Sequence, residues 1–177
     1  MAVLSTELDA LGKARFCERC GSRLTQEEIE GRIRSVCPAC EFVVYLDPKV
    51  AAGVIITLDE RLVLLKRGIE PSIGKWVFPG GYVDVGEPTH QAAAREAREE
   101  VGLEVAIEDL LGVYSYSGVQ VVLVVYTGRV TGGNLQGNFE SLDVQTFFPC
   151  DIPWQELAFD STREALKSWV ERFGHKS

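Results

Sequence analysis

Three glutamates, Glu96, Glu99 and Glu100, lie within five residues of one another on a predicted helix, and Glu87 precedes them. Like charges three or four residues apart on a helix repel each other, so folding alone does not favour this arrangement. Two interpretations are open: the glutamates form an ordinary solvated helix face, or a cation binds among them. Mg²⁺ prefers oxygen ligands and is held by one or two carboxylates together with substrate phosphates. The second interpretation predicts metal-assisted chemistry on a phosphate compound.

Four of the five cysteines fall in two CxxC pairs, 17-CERC-20 and 37-CPAC-40. This spacing is typical of a tetrahedral zinc site in which each pair supplies two thiolates. The alternatives, disulfides or free core thiols, are disfavoured because the sequence shows no sign of secretion. Cys150 is left over, and we expect it to be a small buried hydrophobic residue rather than a nucleophile, because neither His90 nor His175 is near it in sequence.

The overall composition is that of an ordinary globular protein. The 177 residues, 46% hydrophobic and 25% charged, suit one domain with its own core plus a small appendage. The net charge of −8 argues against broad, nonspecific nucleic-acid binding, which depends on clustered Lys and Arg. An acidic protein attracts an anionic substrate only locally or through a bound metal.

Two segments bear on where the protein resides. Residues 1–15 lack a basic stretch followed by an apolar run, so a secretory signal is not expected. The most apolar window, residues 119–128, is too short to cross a bilayer as a helix and is predicted to be a buried strand. The sequence therefore predicts a cytoplasmic protein with no membrane partner.

The elements that must position these residues follow from the pattern of apolar and turn-forming residues. We predict an amino-terminal lead-in (1–15), a metal-binding piece (16–46) that ends in a strand at 41–46, and a larger domain (47–177). In the larger domain we predict strands at 49–58, 61–67, 110–117, 119–130 and 142–148, a turn at 59–60, a shaped loop at 68–81 and a Gly/Asn-rich loop at 131–140. Helices are predicted from 88 to 102, near 153–159 and near 161–173. Elements in this order favour a mixed sheet between helices, an α/β or α+β sandwich.

The first of these helices predicts where the glutamates lie. Ala93, Ala97 and Val101 recur every four residues and form an apolar stripe that docks on the sheet. The glutamates occupy a second stripe beside it. They should therefore lie at the edge of the core, in a cleft, rather than on the far solvent face.

The helix and the residues before it carry a longer motif, which reads Gly81-x5-Glu87-x7-Arg95-Glu96-Ala97-x-Glu99-Glu100-x-Gly102-Leu103. This motif resembles the signature of the Nudix (MutT-like) hydrolases at every fixed position. The resemblance extends to the WVFPGG lead-in and to residues 16–173 as a whole, and is to members with an amino-terminal zinc ribbon. It implies a Nudix α/β/α sandwich with a mixed sheet, preceded by a small ribbon.

The resemblance implies hydrolysis of a nucleoside diphosphate linked to another moiety, with catalytic Mg²⁺ or Mn²⁺ and structural Zn²⁺. By matching position, Glu96, Glu99 and Glu100 would hold the catalytic metal, aided by the Gly81 carbonyl. Arg95 would orient the glutamates, and Glu87 would support the loop or a water molecule near the metal. The zinc ligands would be Cys17, Cys20, Cys37 and Cys40.

The general base of Nudix families is either a glutamate of the motif or an acid on a downstream loop. Glu140, at the end of the Gly/Asn-rich loop, is the candidate here, and the alternative is a solvated loop acid. Asp143 is a weaker candidate.

Motifs that the sequence lacks reduce the set of candidate substrates. NADH pyrophosphatases carry a Ser-Gln-Pro-Trp motif that is missing from residues 114–122, and the pattern expected of coenzyme A pyrophosphatases is missing from 64–81. The chain more closely resembles hydrolases of ADP-ribose and FAD, which would yield AMP with ribose 5-phosphate or FMN. Arg67, Tyr82 and Glu87 are candidate substrate contacts. For the aromatic residues that could stack on a base (Trp76, Tyr82, Tyr114, Tyr116 and Phe159) plain core packing is the favoured alternative.

Other function classes stay open as alternatives. One is an NADH or nucleoside triphosphate pyrophosphatase; another is an RNA-directed or cap hydrolase that uses the ribbon to bind nucleic acid. Residues 16–46 contain four Arg and no Lys against five Glu, so the ribbon lacks a basic footprint, and a structural clamp or a dimer surface is favoured instead. A noncatalytic metabolite sensor is disfavoured by the intact glutamate set. A homodimer is implied by the resemblance alone.

Overall fold

The computed structural model describes residues 15–174, and the chain within it forms two compact units that divide between Pro48 and Lys49. The predicted lead-in (1–15) lies outside the described residues except for Arg15. The first unit is a three-stranded antiparallel sheet with the order β1-β2-β3. Its strands are β1 (Thr25–Ile29), β2 (Arg32–Val36) and β3 (Val43–Val44).

Strand β3 is shorter than the predicted strand at 41–46. The backbone of Glu41 donates to the Cys37 carbonyl, and the Cys37 N–H donates to the Phe42 carbonyl. Residues 41 and 42 therefore complete a turn around a cysteine, and of the four remaining residues only Val43 and Val44 pair with β2.

The second unit contains a seven-stranded mixed sheet. Its strands are β4 (Lys49–Leu58), β5 (Arg61–Arg67), β6 (Trp76–Val77), β7 (Gly80–Tyr82), β8 (Leu103–Tyr114), β9 (Val121–Gly133) and β10 (Ser141–Phe147). The main order is β10-β5-β4-β9-β8, with β6 on β5 and β7 on β4. The central pair, β4 and β9, is parallel and the other pairs are antiparallel.

Two helices, α1 (Thr89–Val101) and α2 (Asp160–Phe173), cover opposite faces of this sheet. Successive residues of β4 point to opposite faces, as strand geometry requires. Val54 belongs to the core cluster that contains Ala97 of α1, whereas Ile55 belongs to the cluster that contains Leu166 of α2. The predicted sandwich with a mixed sheet between helices is therefore confirmed.

Helix α1 begins one residue after Pro88 and ends at Gly102, whose φ of 69° is left-handed. The Gly102 N–H caps the helix by donating to the carbonyls of Ala97 and Arg98. A glycine adopts this conformation without the steric cost of a side chain, which is why it ended the predicted helix at the right place.

The two strands predicted after α1 are present, but their bounds differ from the prediction. We predicted 110–117 and 119–130, whereas β8 begins at Leu103 and β9 runs to Gly133, which shortens the predicted loop to 134–140. Three register irregularities interrupt the pairing of β8 with β9 between residues 104 and 112. Each bulge breaks the two-residue alternation of side chains, and the sequence of β8 therefore does not show a strand period.

The segment after β10 also differs from the prediction. The predicted helix near 153–159 is a single 3-10 turn, Trp154–Glu156, because the Ala158 N–H then donates to the Trp76 carbonyl and draws the chain into an extended path. Cys150 is exposed rather than buried. It lies in another 3-10 turn, Pro149–Asp151, that has no buried residue.

The helices within residues 15–174 include none that is both long enough and apolar enough to cross a membrane.

Candidate active site and metal centres

The four cysteine sulfurs converge on one point of the first unit. The Cys17 and Cys40 sulfurs are 3.6 Å apart, the Cys20 and Cys37 sulfurs are 3.4 Å apart, and all four lie within 4.8 Å of one another. Four thiolates bound tetrahedrally at a zinc–sulfur distance of about 2.3 Å would be about 3.8 Å apart. The donor set and its spacing therefore fit zinc.

Each cysteine pair sits in the same kind of turn. The Gly21 N–H donates to the Cys17 carbonyl, as the Glu41 N–H does to the Cys37 carbonyl, at 2.8 Å in both. A hydrogen bond with the Phe42 backbone favours the thiolate of Cys40. Together with burial, contact with the Cys37 thiol outweighs this effect, and the pKa of Cys40 rises to about 12. Sulfurs this close resist joint ionisation, and a cation such as zinc would remove that resistance.

Helix α1 carries the three glutamates at three different depths. Glu100 is buried at 8% exposure, Glu96 is partly buried, and the Glu99 side chain is half exposed. The Gly80 N–H, at the start of β7, donates to Glu100 Oε2 at 2.8 Å. The glutamates thus lie along the edge of the core, with the deepest one held against the adjacent strand.

Arg95 connects the glutamates to the loop before the helix. Its guanidinium makes a two-point ion pair with Glu87, at 2.9 and 3.0 Å, and also donates to Glu96 Oε1 at 2.7 Å, Glu99 Oε2 at 3.2 Å and the Tyr82 carbonyl at 3.1 Å. The hydrogen bonds that Glu87 accepts, first from Arg95 and then from the Asp84 N–H, lower the pKa of Glu87. One planar side chain thus fixes the orientation of three carboxylates.

The negative charge around Glu100 is not balanced by this network. Burial raises the pKa of Glu100 to about 7, against the hydrogen bond from Gly80, and the charges of Glu96 and Glu140 add to the effect. Burial also raises the pKa of Glu96, although Arg95 opposes it. A cation among these carboxylates would remove the cost of ionising them.

The glutamates are more widely spread than the cysteines. Among residues 15–174, the cysteine group is the one set of three or more possible ligands whose atoms already lie within 4.8 Å of one another. Arg95 holds Glu96 and Glu99 in other contacts. Mg²⁺ does not need a closed protein cage, because it keeps several waters and takes substrate phosphates as ligands, and so the carboxylate set fits a magnesium-like ion.

The main chain of Gly81 lies directly against Glu96. A Cβ atom at this position would be 2.5 Å from Glu96 Oε1, so a side chain cannot be accommodated without moving the carboxylate. The backbone of Gly81 therefore lies beside Glu96, and a role of its carbonyl in holding a metal stays a prediction.

Glu140 lies close enough to Glu96 and Glu100 for its charge to raise the pKa of both. The Gly68 N–H, after the end of β5, donates to the Glu140 carbonyl at 2.6 Å. By contrast, Asp143 is exposed on β10 and accepts a hydrogen bond from the Gln145 amide at 2.6 Å. The charge of Glu140 therefore acts on the cluster, whereas the Asp143 carboxylate is exposed and paired with Gln145.

Arg67, the last residue of β5, is the candidate cation for binding a phosphate of the substrate. Its Nε–H donates to the Pro71 carbonyl at 2.8 Å, and its guanidinium lies over the Phe159 ring, 5.2 Å from the centroid. Its positive charge lowers the pKa of Glu100, and Arg67 is paired in register with Ser141, the residue after Glu140. Arg67 and the acidic cluster thus border the same space.

The aromatic candidates have different surroundings. Trp76 is buried and makes an edge-on contact with Phe147 at 5.0 Å between centroids, so it packs in the core. The Tyr116 hydroxyl donates to Glu164 at 2.8 Å. Tyr82 is exposed, and the Lys49 ammonium lies 4.7 Å from its ring centroid. Of these three residues, Tyr82 has the ring most accessible to a ligand.

Sequence reasoning missed a polar concavity of about 480 Å³ beside the cluster. We call it the amide pocket; it is lined by Arg98, Glu99, Gly102, Gly133, Asn134, Gln136, Gly137 and Asn138. The concentration of Gly and Asn in the predicted 131–140 loop was the available signal. The loop lies close to Glu99 because the end of β9 runs past the end of α1, and the sequence does not show this contact.

Comparison with known protein families gives two matches. Residues 47–172 match the model of the NUDIX domain, and residues 15–46 match the model described as Nudix N-terminal, a zinc ribbon.

Individual relatives agree with these matches. The chain is 36% identical over 124 residues to the ADP-ribose pyrophosphatase of Methanocaldococcus jannaschii, covering 68% of this chain and 72% of that protein. It is 28% identical over 140 residues to the NAD-capped RNA hydrolase NudC of Pseudomonas aeruginosa, covering 77% of this chain but only 48% of NudC. A crystal structure of a NUDIX hydrolase from Nitrosomonas europaea superposes with a TM-score of 0.86 at 33% identity, covering 92% of this chain and 94% of that one.

Proposed function

Because this chain belongs to the Nudix hydrolase family, with the amino-terminal zinc ribbon found in some members, we propose that it cleaves the diphosphate bridge of a nucleoside diphosphate derivative. ADP-ribose is the preferred substrate and FAD the second, and AMP is released from either. The observation that carries the proposal is the unbalanced carboxylate cluster of Glu96, Glu100 and Glu140, with Arg67 beside it.

Glu96, Glu99 and Glu100, with the Gly81 carbonyl, would hold Mg²⁺ or Mn²⁺ in this proposal. When bound, the cation would offset the charge of the diphosphate and make a water molecule more acidic. Arg95 contributes by holding Glu96 and Glu99 in fixed orientations from one guanidinium. Glu87 contributes by anchoring that guanidinium at two points.

The chain's own residues supply the remaining parts of a hydrolytic step. Arg67 neutralises a phosphate oxygen of the substrate at the end of β5. Glu140 accepts a proton from the attacking water as the new oxygen–phosphorus bond forms. The bond between phosphorus and the bridging oxygen breaks, and two phosphate monoesters leave. Phosphoryl-type displacement asks for little more than such positioning and charge compensation.

The amide pocket supports ADP-ribose over FAD. Its lining offers Arg98 and the side-chain amides of Asn134 and Gln136, and includes no aromatic residue. These groups pair with the hydroxyls of a terminal ribose, whereas the flat, largely apolar ring system of a flavin is bound best by aromatic and aliphatic side chains. The relative from M. jannaschii, which is named for ADP-ribose, supports the same preference.

The zinc of the ribbon has a structural role in this proposal. The four cysteines form a closed donor set without an open position for a substrate or water, and closed sites are structural. A homodimer and a cytoplasmic location stay predictions of the sequence, which light scattering and cell fractionation would check.

The test is a hydrolysis panel with every product identified by mass. Purified protein with Mg²⁺ is given ADP-ribose, FAD, NADH, NAD⁺, nucleoside triphosphates and NAD-capped RNA in separate reactions. We expect AMP with ribose 5-phosphate at the highest kcat/KM, and Glu100→Gln should lower kcat at least about 10²-fold. Asp143→Asn is the matched control, because it neutralises an exposed carboxylate on β10 whose hydrogen-bond partner is Gln145.

Three other outcomes would contradict the proposal. Cleavage confined to triphosphates would assign a nucleotide-pool role instead. Highest activity on NADH or NAD-capped RNA would mean that the substrate resembles the one for which the NudC relatives are named. No cleavage of any substrate, with Mg²⁺ still bound, would favour the sensor.

A further inference from the structure

We propose that residues 138–141 form a docked turn whose purpose is to hold Glu140 at the glutamate cluster, with Asn138 and Gly68 as its positioning residues. The inference rests on the proposed function, in which Glu140 accepts the proton of the attacking water. It goes beyond that function because it names the residues through which Glu140 acts.

Side chains from both ends of the turn close it around Glu140. Asn138 Oδ1 accepts the Glu140 N–H at 2.8 Å. The Ser141 hydroxyl accepts the Asn138 N–H at 2.8 Å and donates to the Asn138 carbonyl at 3.1 Å. The Ser141 N–H also points to that carbonyl, at 3.2 Å. The backbone on either side of Glu140 is therefore fixed by four hydrogen bonds within four residues.

The turn is attached to the sheet at Gly68. The Gly68 N–H donates to the Glu140 carbonyl at 2.6 Å, next to Arg67, which is itself paired in register with Ser141. A Cβ atom at Gly68 would lie 2.9 Å from the Glu140 carbonyl oxygen and 3.1 Å from its carbon. A contact this tight to rigid backbone admits only glycine, so any larger residue must push the turn away from β5.

Apolar burial does not hold the turn in place. Phe139, at its tip, is 88% exposed and contributes almost no buried surface, although a phenylalanine is the residue best suited to anchor a loop by burial. The neighbouring Glu140 is partly buried, and Asn138 lines the amide pocket together with Glu99, which places the turn beside the glutamates of α1. The position of Glu140 therefore depends on the hydrogen bonds of Asn138, Ser141 and Gly68. A loop acid that was merely solvated would need none of them.

The experiment is a double-mutant cycle on ADP-ribose hydrolysis, or on the substrate that the panel identifies. Asn138→Ala should lower kcat about 10–100-fold, the usual effect of removing a side chain that orients a ligand or base. Asn138→Asp should restore most of the loss, because it keeps an oxygen to accept the Glu140 N–H. In the Glu140→Gln background, Asn138→Ala should cause no further loss of kcat.

Three readouts separate positioning from other roles of Asn138. Because this residue also borders the amide pocket, a substrate contact would raise KM, whereas positioning lowers kcat and leaves KM within about threefold. Gly68→Ala should lower kcat as Asn138→Ala does, with unchanged circular dichroism and zinc content. Gln145→Ala, an exposed amide farther along β10, is the control that should leave kcat unchanged.

Two results would overturn the inference. One is an equal loss from Asn138→Ala in the wild-type and Glu140→Gln backgrounds, which would mean a general structural role. The other is full activity of Glu140→Gln, which would remove Glu140 from the reaction. That second result would leave the hydrolase proposal standing as long as Glu100→Gln is inactive, so the two failures are distinguishable.

Discussion

Glu100→Gln should stabilise the magnesium-free protein, and the gain should grow as pH rises. The carboxyl is buried at 8% exposure, and burial raises its pKa from 4.5 to about 7. A carboxyl whose pKa is raised in the folded state contributes its full stability below the unfolded pKa and loses it as pH rises through the folded pKa. Glutamine keeps an oxygen that accepts the Gly80 N–H but never ionises, so the variant escapes this loss.

The magnitude follows from the two pKa values. A folded pKa of about 7 against 4.5 corresponds to about 3 kcal/mol once both states are ionised. The advantage of Glu100→Gln should therefore rise from about 1 kcal/mol near pH 5 to about 3 kcal/mol near pH 8, and then level off. Any change in packing caused by the substitution would alter the free energy of unfolding equally at every pH and would leave this slope unchanged.

The assay is urea unfolding followed by fluorescence at several pH values, after magnesium has been removed by dialysis and zinc content verified. The comparison variant is Glu99→Gln, because that side chain is half exposed and its ion pair with Arg95 lies near the surface. Exposed pairs contribute about 0–1 kcal/mol, so this variant should differ from wild type by no more than about 1 kcal/mol. Added Mg²⁺ should stabilise wild type by mass action and Glu100→Gln much less.

A pH-independent difference between Glu100→Gln and wild type, or one that shrinks toward pH 8, would refute the argument. Either result would mean that the carboxyl is ionised without cost in the absence of metal. The case for a cation at the cluster would then lose its electrostatic basis.

Three further outcomes are expected. Cys20→Ser should abolish stoichiometric zinc, measured by atomic emission; retention of one zinc per chain would contradict the four-thiolate site. Arg95→Lys should lower kcat about 10–100-fold, because lysine cannot copy a guanidinium that fixes three carboxylates; steady-state kinetics would show it, and unchanged kcat would count against the orienting role. Gly81→Ala should also lower kcat and weaken Mg²⁺ binding, because the new Cβ would lie 2.5 Å from Glu96 Oε1. Calorimetry would measure the Mg²⁺ affinity, and a normal affinity would show that Glu96 can move without consequence.

The parts of the fold that local sequence controls were predictable. Strands β4 and β5 have the predicted bounds, because the turn at Asp59-Glu60 interrupts two apolar runs, and both turn residues adopt positive φ as tight hairpins require. Helix α1 follows from its alanine stripe and its terminal glycine. The motif of the family, which is a feature of the sequence alone, also places the glutamates on this helix.

The parts that depend on tertiary contacts were not predictable. Strand β8 was placed too late because its bulges obscure the strand period. Cys150 lies in a 3-10 turn that has no buried residue, and the packing of that turn is not encoded in the local pattern. The amide pocket and the attachment of Glu140 at Gly68 join segments far apart in the chain, and no local pattern encodes such contacts.

The parallel pairing of β4 with β9 has a consequence for the order of folding. It joins residue 49 to residue 121 and residue 57 to residue 129, so the centre of the sheet is a non-local contact. Loop closure over such a distance makes folding slow relative to helices and hairpins. During synthesis the β4–β5 hairpin emerges early, with a strand that is buried on both faces in the final fold. That strand must wait, exposed, until residue 129 has left the ribosome, and any truncation before β9 should therefore yield an aggregating chain rather than a smaller enzyme.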